Sequence, residues 1–151
     1  MLHTAIHDRV AELHDGENPF YIARLETCWV VVSNKPLREG HCVTYADPVV
    51  FGMNDLDEET RMKYWRDVCR VGDALMTVTG SYRINYETMC NVAQALHTHV
   101  IPRQRSESDH ERQERPAIAY KESDFDFKTG EVLIEKMRHQ LAPFALEPSE
   151  K

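Results

Sequence analysis

No stretch of this chain approaches the roughly 20 consecutive apolar residues that a membrane-spanning helix requires, so no helical membrane anchor is expected. A basic excess is lacking as well: 18 Lys and Arg stand against 25 Asp and Glu, a formal net charge of −7. That balance favours solubility and argues against a non-specific nucleic-acid surface, which needs a basic face. It leaves room for a small nucleotide, whose phosphates need only a few local donors. The cysteines never pair. Cys28, Cys42, Cys69 and Cys90 are widely spaced with no Cys-x-x-Cys, which removes the usual sequence mark of a zinc site. The first residues carry neither a basic n-region nor an apolar h-region. The expected compartment is therefore the cytoplasm, without disulfides, and no metal or cofactor is expected. No internal repeat or low-complexity tract is present.

What is present fits one domain of 151 residues with its own hydrophobic core. Ile6, Val10 and Leu13 recur at helical spacing, which predicts a helix over 4–14 closed by Asp15-Gly16. Residues 21–33 are rich in β-branched and aromatic types and predict a hairpin, about 21–26 and 29–33. A loop from Ser33 to Gly40 leads into a third strand, His41 to Ala46. Asp57 is placed to cap a long helix, with Glu58 and Glu59 favouring its dipole and Gly80 ending it. Met62, Trp65, Val68, Cys69, Leu75 and Met76 are the expected buried stripe of that helix. A fourth strand is expected over Tyr82 to Tyr86, a charged surface loop over 103–115, and a last helix near 131–141 with Leu133, Met137 and Leu141 on one face. The order predicts an α+β fold: a five-stranded antiparallel sheet with one long crossover helix, an N-terminal helix and a C-terminal helix. The unit is expected to span 1–151, with its core at about 20–103 and a charged loop and helix over 104–151. So small a sheet leaves edges open, and pairing them in a homodimer is a common remedy.

The chemistry concentrates in one segment, Ala95-Leu96-His97-Thr98-His99-Val100-Ile101-Pro102-Arg103. Side chains alternate along a strand, so His97 and His99 share a face with Ala95 and Ile101, while Leu96, Thr98 and Val100 point the other way. A neutral imidazole is a good nucleophile near pH 7, and a second one beside it can hold phosphate oxygens or protonate a departing oxygen. The remaining histidines, His3, His7, His14, His110 and His139, lie in helical or charged surroundings and read as solvated.

This segment resembles the second half of the signature of the histidine triad superfamily, in which histidines alternate with apolar residues and the run often ends in Pro-Arg. The resemblance covers roughly residues 20–103. Trp29 to Ser33 looks like the family's second strand, and Lys35-Pro36 with Gly40-His41 its turn into the third. Asp55-Leu56 before the long helix, and Tyr82 to Asn85 before the signature, follow in the expected order. The resemblance implies a homodimer that binds nucleoside phosphates. In this family the middle histidine attacks the α-phosphate and releases the leaving group, and water then cleaves the nucleotidyl-histidine. By position, His97 matches the nucleophile and His99 the third histidine. His41 matches a supporting histidine after the loop glycine, and Asn85 and Asn91 match polar positions before the signature. The ribose-contacting position falls at Ser33, with Asn34 its neighbour if the register shifts by one. Arg103 reads as an anchor of the strand end.

Two departures stand out. The first triad histidine is Ala95, which implies that a water or a side chain such as His41 orients the nucleophile in its place. The approach to the signature, Tyr86-Glu87-Thr88-Met89-Cys90, carries no glycine. Retention of His97 and His99 favours an enzyme, a nucleotidyl hydrolase or transferase acting on dinucleoside polyphosphates or nucleoside phosphoramidates. Ala95 and the glycine-poor approach favour the alternative, a nucleotide-binding regulatory dimer with slow chemistry or none. A zinc module is a distant third, since no cysteine or histidine cluster completes a site.

Overall fold

The computed structural model describes residues 2–147; Met1 and 148–151, the extremes of the expected 1–151 unit, lie outside the described residues. Helix α1 (Ala5–His14) starts at a capping box: the Thr4 hydroxyl accepts from the Ile6 amide, and the Thr4 amide donates to His7 Nδ1. His7 is thus a capping residue and not simply solvated. Strands β1 (Tyr21–Arg24), β2 (Cys28–Val32) and β3 (Cys42–Ala46) form a meander. Helix α2 (Glu58–Thr79) crosses over to β4 (Arg83–Glu87), and β5 (His97–Arg103) then inserts between β3 and β4. The result is an antiparallel sheet in the order β1-β2-β3-β5-β4, the α+β architecture expected from the sequence. The histidine strand lies inside the sheet, with a neighbour on each side.

The two faces differ in what covers them. On one, α2 packs against Cys42, Ala46, Val30, Val32, Leu96 and Val100 together with the last long helix, α5 (Phe127–Leu141). Leu133, Ile134, Met137 and Leu141 of α5 belong to this main core, so the segment beyond residue 103 is built into the fold. On the other face, Ile6, Val10 and Leu13 of α1 close a smaller apolar cluster with Trp29, Val31, Val43 and Ala95. The surface loop expected over 103–115 instead contains a short helix, α3 (Asp109–Gln113), and a second, α4 (Pro116–Ala119), follows it. Residues 123–125 then pair with the loop after β2, the Phe125 amide donating to the Asn34 carbonyl and Asp124 pairing with Lys35.

The long helix corrects one expectation. Val68 and Leu75 are buried, but Met62 is 68% exposed, and Trp65, Cys69 and Met76 are exposed too. The buried stripe runs through Tyr64, Asp67, Val68, Val71, Gly72 and Leu75. The sequence carries two adjacent stripes at helical spacing, and the buried one is disguised by a carboxylate and a glycine. Gly72 sits there because a Cβ would meet the Tyr86 hydroxyl at 2.0 Å. Asp67 is tolerated because it is fully partnered: its carboxylate accepts from the Thr27 amide (3.0 Å), the Thr27 hydroxyl (2.8 Å) and Arg70 (3.1 Å).

That carboxylate ties α2 to the β1–β2 turn and satisfies an amide that water does not reach. Replacing Asp67 with Ala should cost about 2–4 kcal/mol, because the Thr27 amide is left buried and unpaired. Urea denaturation would measure it; a midpoint equal to wild type would refute the assignment.

Candidate active site

Strand β5 presents its two sets of side chains to different worlds. Thr98, wholly buried, faces α2, where its hydroxyl bonds Tyr64 Oη (2.9 Å) and Thr88 Oγ1 (2.7 Å); Tyr64 Oη also bonds Thr44 Oγ1 (3.1 Å). His97 and His99 therefore project onto the opposite face, half-buried, across the ladder from Tyr45 and Val43 of β3. Glu87 of β4 lies directly across from His99. The rings of His97 and His99 lie 5.3 Å apart between centroids.

Hydrogen-bond partners assign the protons on the three imidazoles. The Leu37 amide donates to His41 Nδ1 (3.1 Å), so His41 carries its proton on Nε2. From there it donates to His99 Nδ1 (2.9 Å), which places the His99 proton on Nε2. His97 Nδ1 donates to the Ala95 carbonyl (2.7 Å), so in the neutral ring the lone pair lies on Nε2. One face thus holds a nucleophilic nitrogen and, one step along the strand, an N–H donor.

The electrostatics keep His41 and His99 in these neutral states. Burial, reinforced by His99, pushes His41 down to about 3, and burial with the neighbouring His97 charge pushes His99 down to about 4. Both are neutral at physiological pH. His97 behaves differently: burial pulls it down, but its bonds to Cys90 and to the Ala95 carbonyl outweigh that and hold it above the ordinary imidazole value.

The other residues singled out in the sequence are only partly brought together. Ser33 continues β2 beside His41, its amide donating to the His41 carbonyl, but its hydroxyl accepts from the Lys35 amide (3.3 Å). Asn34 is exposed and its carbonyl is taken by Phe125. Asn85 lies opposite Ile101, with its Oδ1 held by Arg103 (2.6 Å). Asn91 is exposed in the loop before β5. Arg103 is buried and bonds Glu107, Asn85 and the carbonyls of Glu111 and Glu114, which makes it the anchor of the strand end. Among the described residues no cluster of three or more His, Cys, Asp or Glu is arranged to hold a metal ion.

At Ala95 the backbone, and not His41, makes the bond to His97. The methyl is fully buried in the cluster that α1 closes, His41 bonds His99 rather than His97, and the Ala95 carbonyl accepts from His97 Nδ1. Two site residues were not foreseen. Cys90 takes a left-handed backbone at φ 53, unusual outside glycine, and its thiol donates to the His97 carbonyl (3.5 Å), which brings the sulfur beside the imidazole. Burial raises the thiol, but the neighbouring His97 outweighs it and holds the thiol below its usual value. The absence of glycine from this turn was the available signal. Arg115 approaches Glu87 (3.5 Å), a contact far too distant in sequence for local pattern to reveal.

Comparison with known proteins bears on this geometry directly. The HIT domain family model matches residues 17–106. No curated protein matches. Among solved structures, a histidine triad protein from Bradyrhizobium japonicum is similar at 19% identity, covering 91% of this chain and 97% of that one with a TM-score of 0.71. One from Marinobacter aquaeolei VT8 is similar at 14% identity, covering 94% and 98% with a TM-score of 0.73. A hypothetical histidine triad nucleotide-binding protein from Sulfolobus tokodaii strain7 is similar at 14% identity, covering 88% and 90% with a TM-score of 0.70. At these identities the likeness establishes a common fold, while the domain model spans the sheet, the crossover helix and the histidine strand. On that match the chain belongs to the HIT domain family.

Proposed function

We propose that this HIT-family protein is a nucleotidyl hydrolase or transferase that cleaves nucleoside phosphates at the α-phosphate through a nucleotidyl-histidine. The observation that carries the reading is the pair of Nε2 atoms on one face, one a lone pair and the other an N–H donor, each fixed by a hydrogen bond behind it. The His97 lone pair forms the N–P bond as the bond from phosphorus to the leaving oxygen breaks, its electrons departing with that oxygen. His99 Nε2–H, held by His41, is placed to stabilise oxygen charge as it develops. Water then attacks phosphorus, the N–P electrons return to His97, and the water proton passes to solvent. Ser33, Asn34, Asn85 and Asn91 are the proposed nucleotide contacts around this centre; the Arg103 bond to Asn85 favours a positioning role there.

A nucleotide-binding regulatory dimer is the second reading, favoured by Ala95 in place of the first histidine and by the glycine-free turn at Cys90. The two readings separate on one experiment. An α-³²P-labelled panel of dinucleoside polyphosphates and phosphoramidates should give turnover and an acid-labile adduct with the wild type. In His97→Ala the adduct should vanish and turnover fall by about 1000-fold or more, about 4 kcal/mol of barrier. Stoichiometric binding with no adduct and no turnover would favour the regulatory reading instead.

The pH profile follows from the attacking form. His97 must be neutral to attack and its pKa is raised, so kcat/KM should fall as pH drops through a value above the ordinary 6.5. Cys90→Ala removes one of the bonds that raise it, so this acid limb should move to lower pH. An unmoved limb in a folded Cys90→Ala protein would refute the coupling.

We also expect a homodimer through the β4 edge and α2. The exposed stripe of Met62, Trp65, Cys69 and Met76 runs along α2, and Trp65 meets Tyr86 of the edge strand at 6.5 Å. Burial should exceed about 1,200 Å². A monomeric mass by light scattering at micromolar concentration would count against it.

A further inference from the structure

The N–H donor of the site is set from outside the sheet. His41 is buried, and its Nδ1 is fixed by the Leu37 amide (3.1 Å), a group of the loop that follows β2. The same peptide unit is held at its other end. Its carbonyl, that of Pro36, accepts from the Ser123 amide (3.2 Å) and hydroxyl (3.4 Å), from a residue 87 positions along the chain. A trans peptide is planar, with its C=O and N–H directed oppositely, so a donor that fixes the carbonyl also aims the amide. One line of hydrogen bonds therefore runs from Ser123 through the Pro36–Leu37 peptide to His41 Nδ1. It continues from His41 Nε2–H to His99 Nδ1 (2.9 Å).

The segment that carries Ser123 is itself pinned. Two residues on, the Phe125 amide donates to the Asn34 carbonyl (3.2 Å), so alternate residues of 123–125 pair with alternate residues of 34–36. Asp124 pairs with Lys35 between them. The Phe125 ring meets Phe20 at 5.7 Å and Phe127 at 5.0 Å, both edge-on, and it lies so close over Gly130 of α5 that a Cβ there would run into it. Asp126 then caps α5, accepting from the Lys128 amide (2.9 Å). The strap is thus tied to a helix whose Leu133, Ile134, Met137 and Leu141 sit in the main core. It lies beyond residues 17–106, the part of the chain that the HIT domain model matches, so the line of bonds begins outside that domain.

We propose that the strap 123–125 positions the imidazole pair: Ser123 holds the Pro36–Leu37 peptide, that peptide keeps the His41 proton on Nε2, and His41 keeps the His99 proton on Nε2. Ser123 is a positioning residue that acts through its main-chain N–H, and Phe125 holds it in place. Hydrogen bonds in series polarise one another, so the first donor strengthens the last. Without the Ser123 bond the Pro36–Leu37 plane is free to turn at the surface, His41 Nδ1 loses its aimed donor, and both rings interchange tautomers. The use of His99 Nε2–H to stabilise oxygen charge rests on the hydrolase reading; the setting of the protons does not.

Two variants at Ser123, an exposed position, separate the amide from the hydroxyl. Ser123→Ala keeps the amide, whereas Ser123→Pro removes both donors. In the full chain at mildly alkaline pH, long-range ¹H–¹⁵N correlation reads the tautomers directly, because a protonated and a bare ring nitrogen resonate far apart. Wild type and Ser123→Ala should show His41 and His99 each with a protonated Nε2 and a bare Nδ1. In Ser123→Pro the two nitrogen shifts of His41 should move toward each other, and those of His99 with them; Phe125→Ala should do the same. Ile134→Val, a core change in α5 that leaves the strap's hydrogen bonds alone, should lower the melting temperature and leave the shifts as in wild type. Nitrogen shifts in Ser123→Pro equal to those of wild type overturn the proposal, as does a wild type whose His41 nitrogens are already averaged. On the hydrolase reading, single-turnover cleavage should fall about 10-fold in Ser123→Pro and stay within about 2-fold of wild type in Ser123→Ala. No cleavage by the wild type would refute that reading, and the nitrogen shifts would still decide the strap.

Discussion

A buried phenol sets the terms for this molecule. Tyr64, at the centre of α2, bonds Thr44 on β3 and Thr98 on β5, and Thr98 bonds Thr88 in the approach to β5. Each bond contributes only about 1 kcal/mol net. Their larger effect is on register, because a one-residue slip of β5 would bury His97 and His99 against α2 and turn Thr98 outward. Such a slip would leave the Tyr64 hydroxyl unpaired in the core and bury two imidazoles among Val68, Val71 and Leu75. The polar network behind the strand therefore decides which face carries the histidines, and every distance on that face follows from it.

The same alternation explains what a methyl does at position 95. Ala95 sits on the histidine face, one step before His97, where α1 lays Ile6, Val10 and Leu13 over the sheet. A small, apolar group there lets the helix close on the strand. The orienting bond to His97 is made by the Ala95 carbonyl, which any residue at that position carries. Loss of the imidazole thus removes a side chain from the site while retaining the backbone acceptor that fixes the nucleophile's tautomer.

Much of this was legible in the sequence because the decisive patterns are local. The period-two run at 97–101, the Asp57 cap, the Gly80 stop and the helical spacing of α1 and α5 each depend on neighbours a few residues away, and each element forms as expected. The Met and Trp stripe of α2 was misread because two apolar stripes lie side by side, and only the tertiary partners Thr27 and Tyr86 reveal why Asp67 and Gly72 belong inside. The pairing of His41 with His99 spans 58 residues and that of Arg115 with Glu87 spans 28, so neither has a local signature. Cys90 left a trace only as a missing glycine. Its left-handed backbone lies in the approach to β5, and the cysteine brings a thiol to the His97 carbonyl that glycine would not.

The protonation pattern, finally, constrains what the imidazoles can donate. His99 is held near 4 by burial and by the His97 charge, so at neutral pH it is an imidazole whose Nε2–H donates a hydrogen bond without giving up its proton. Behind it His41, lower still, is fixed by the Leu37 amide and has no acidic proton to pass forward. A departing group therefore meets a fixed hydrogen-bond donor at His99, while any full proton transfer must come from another source. The direction of that donor is geometric in origin: the Leu37 amide fixes the proton of His41, and His41 in turn fixes that of His99.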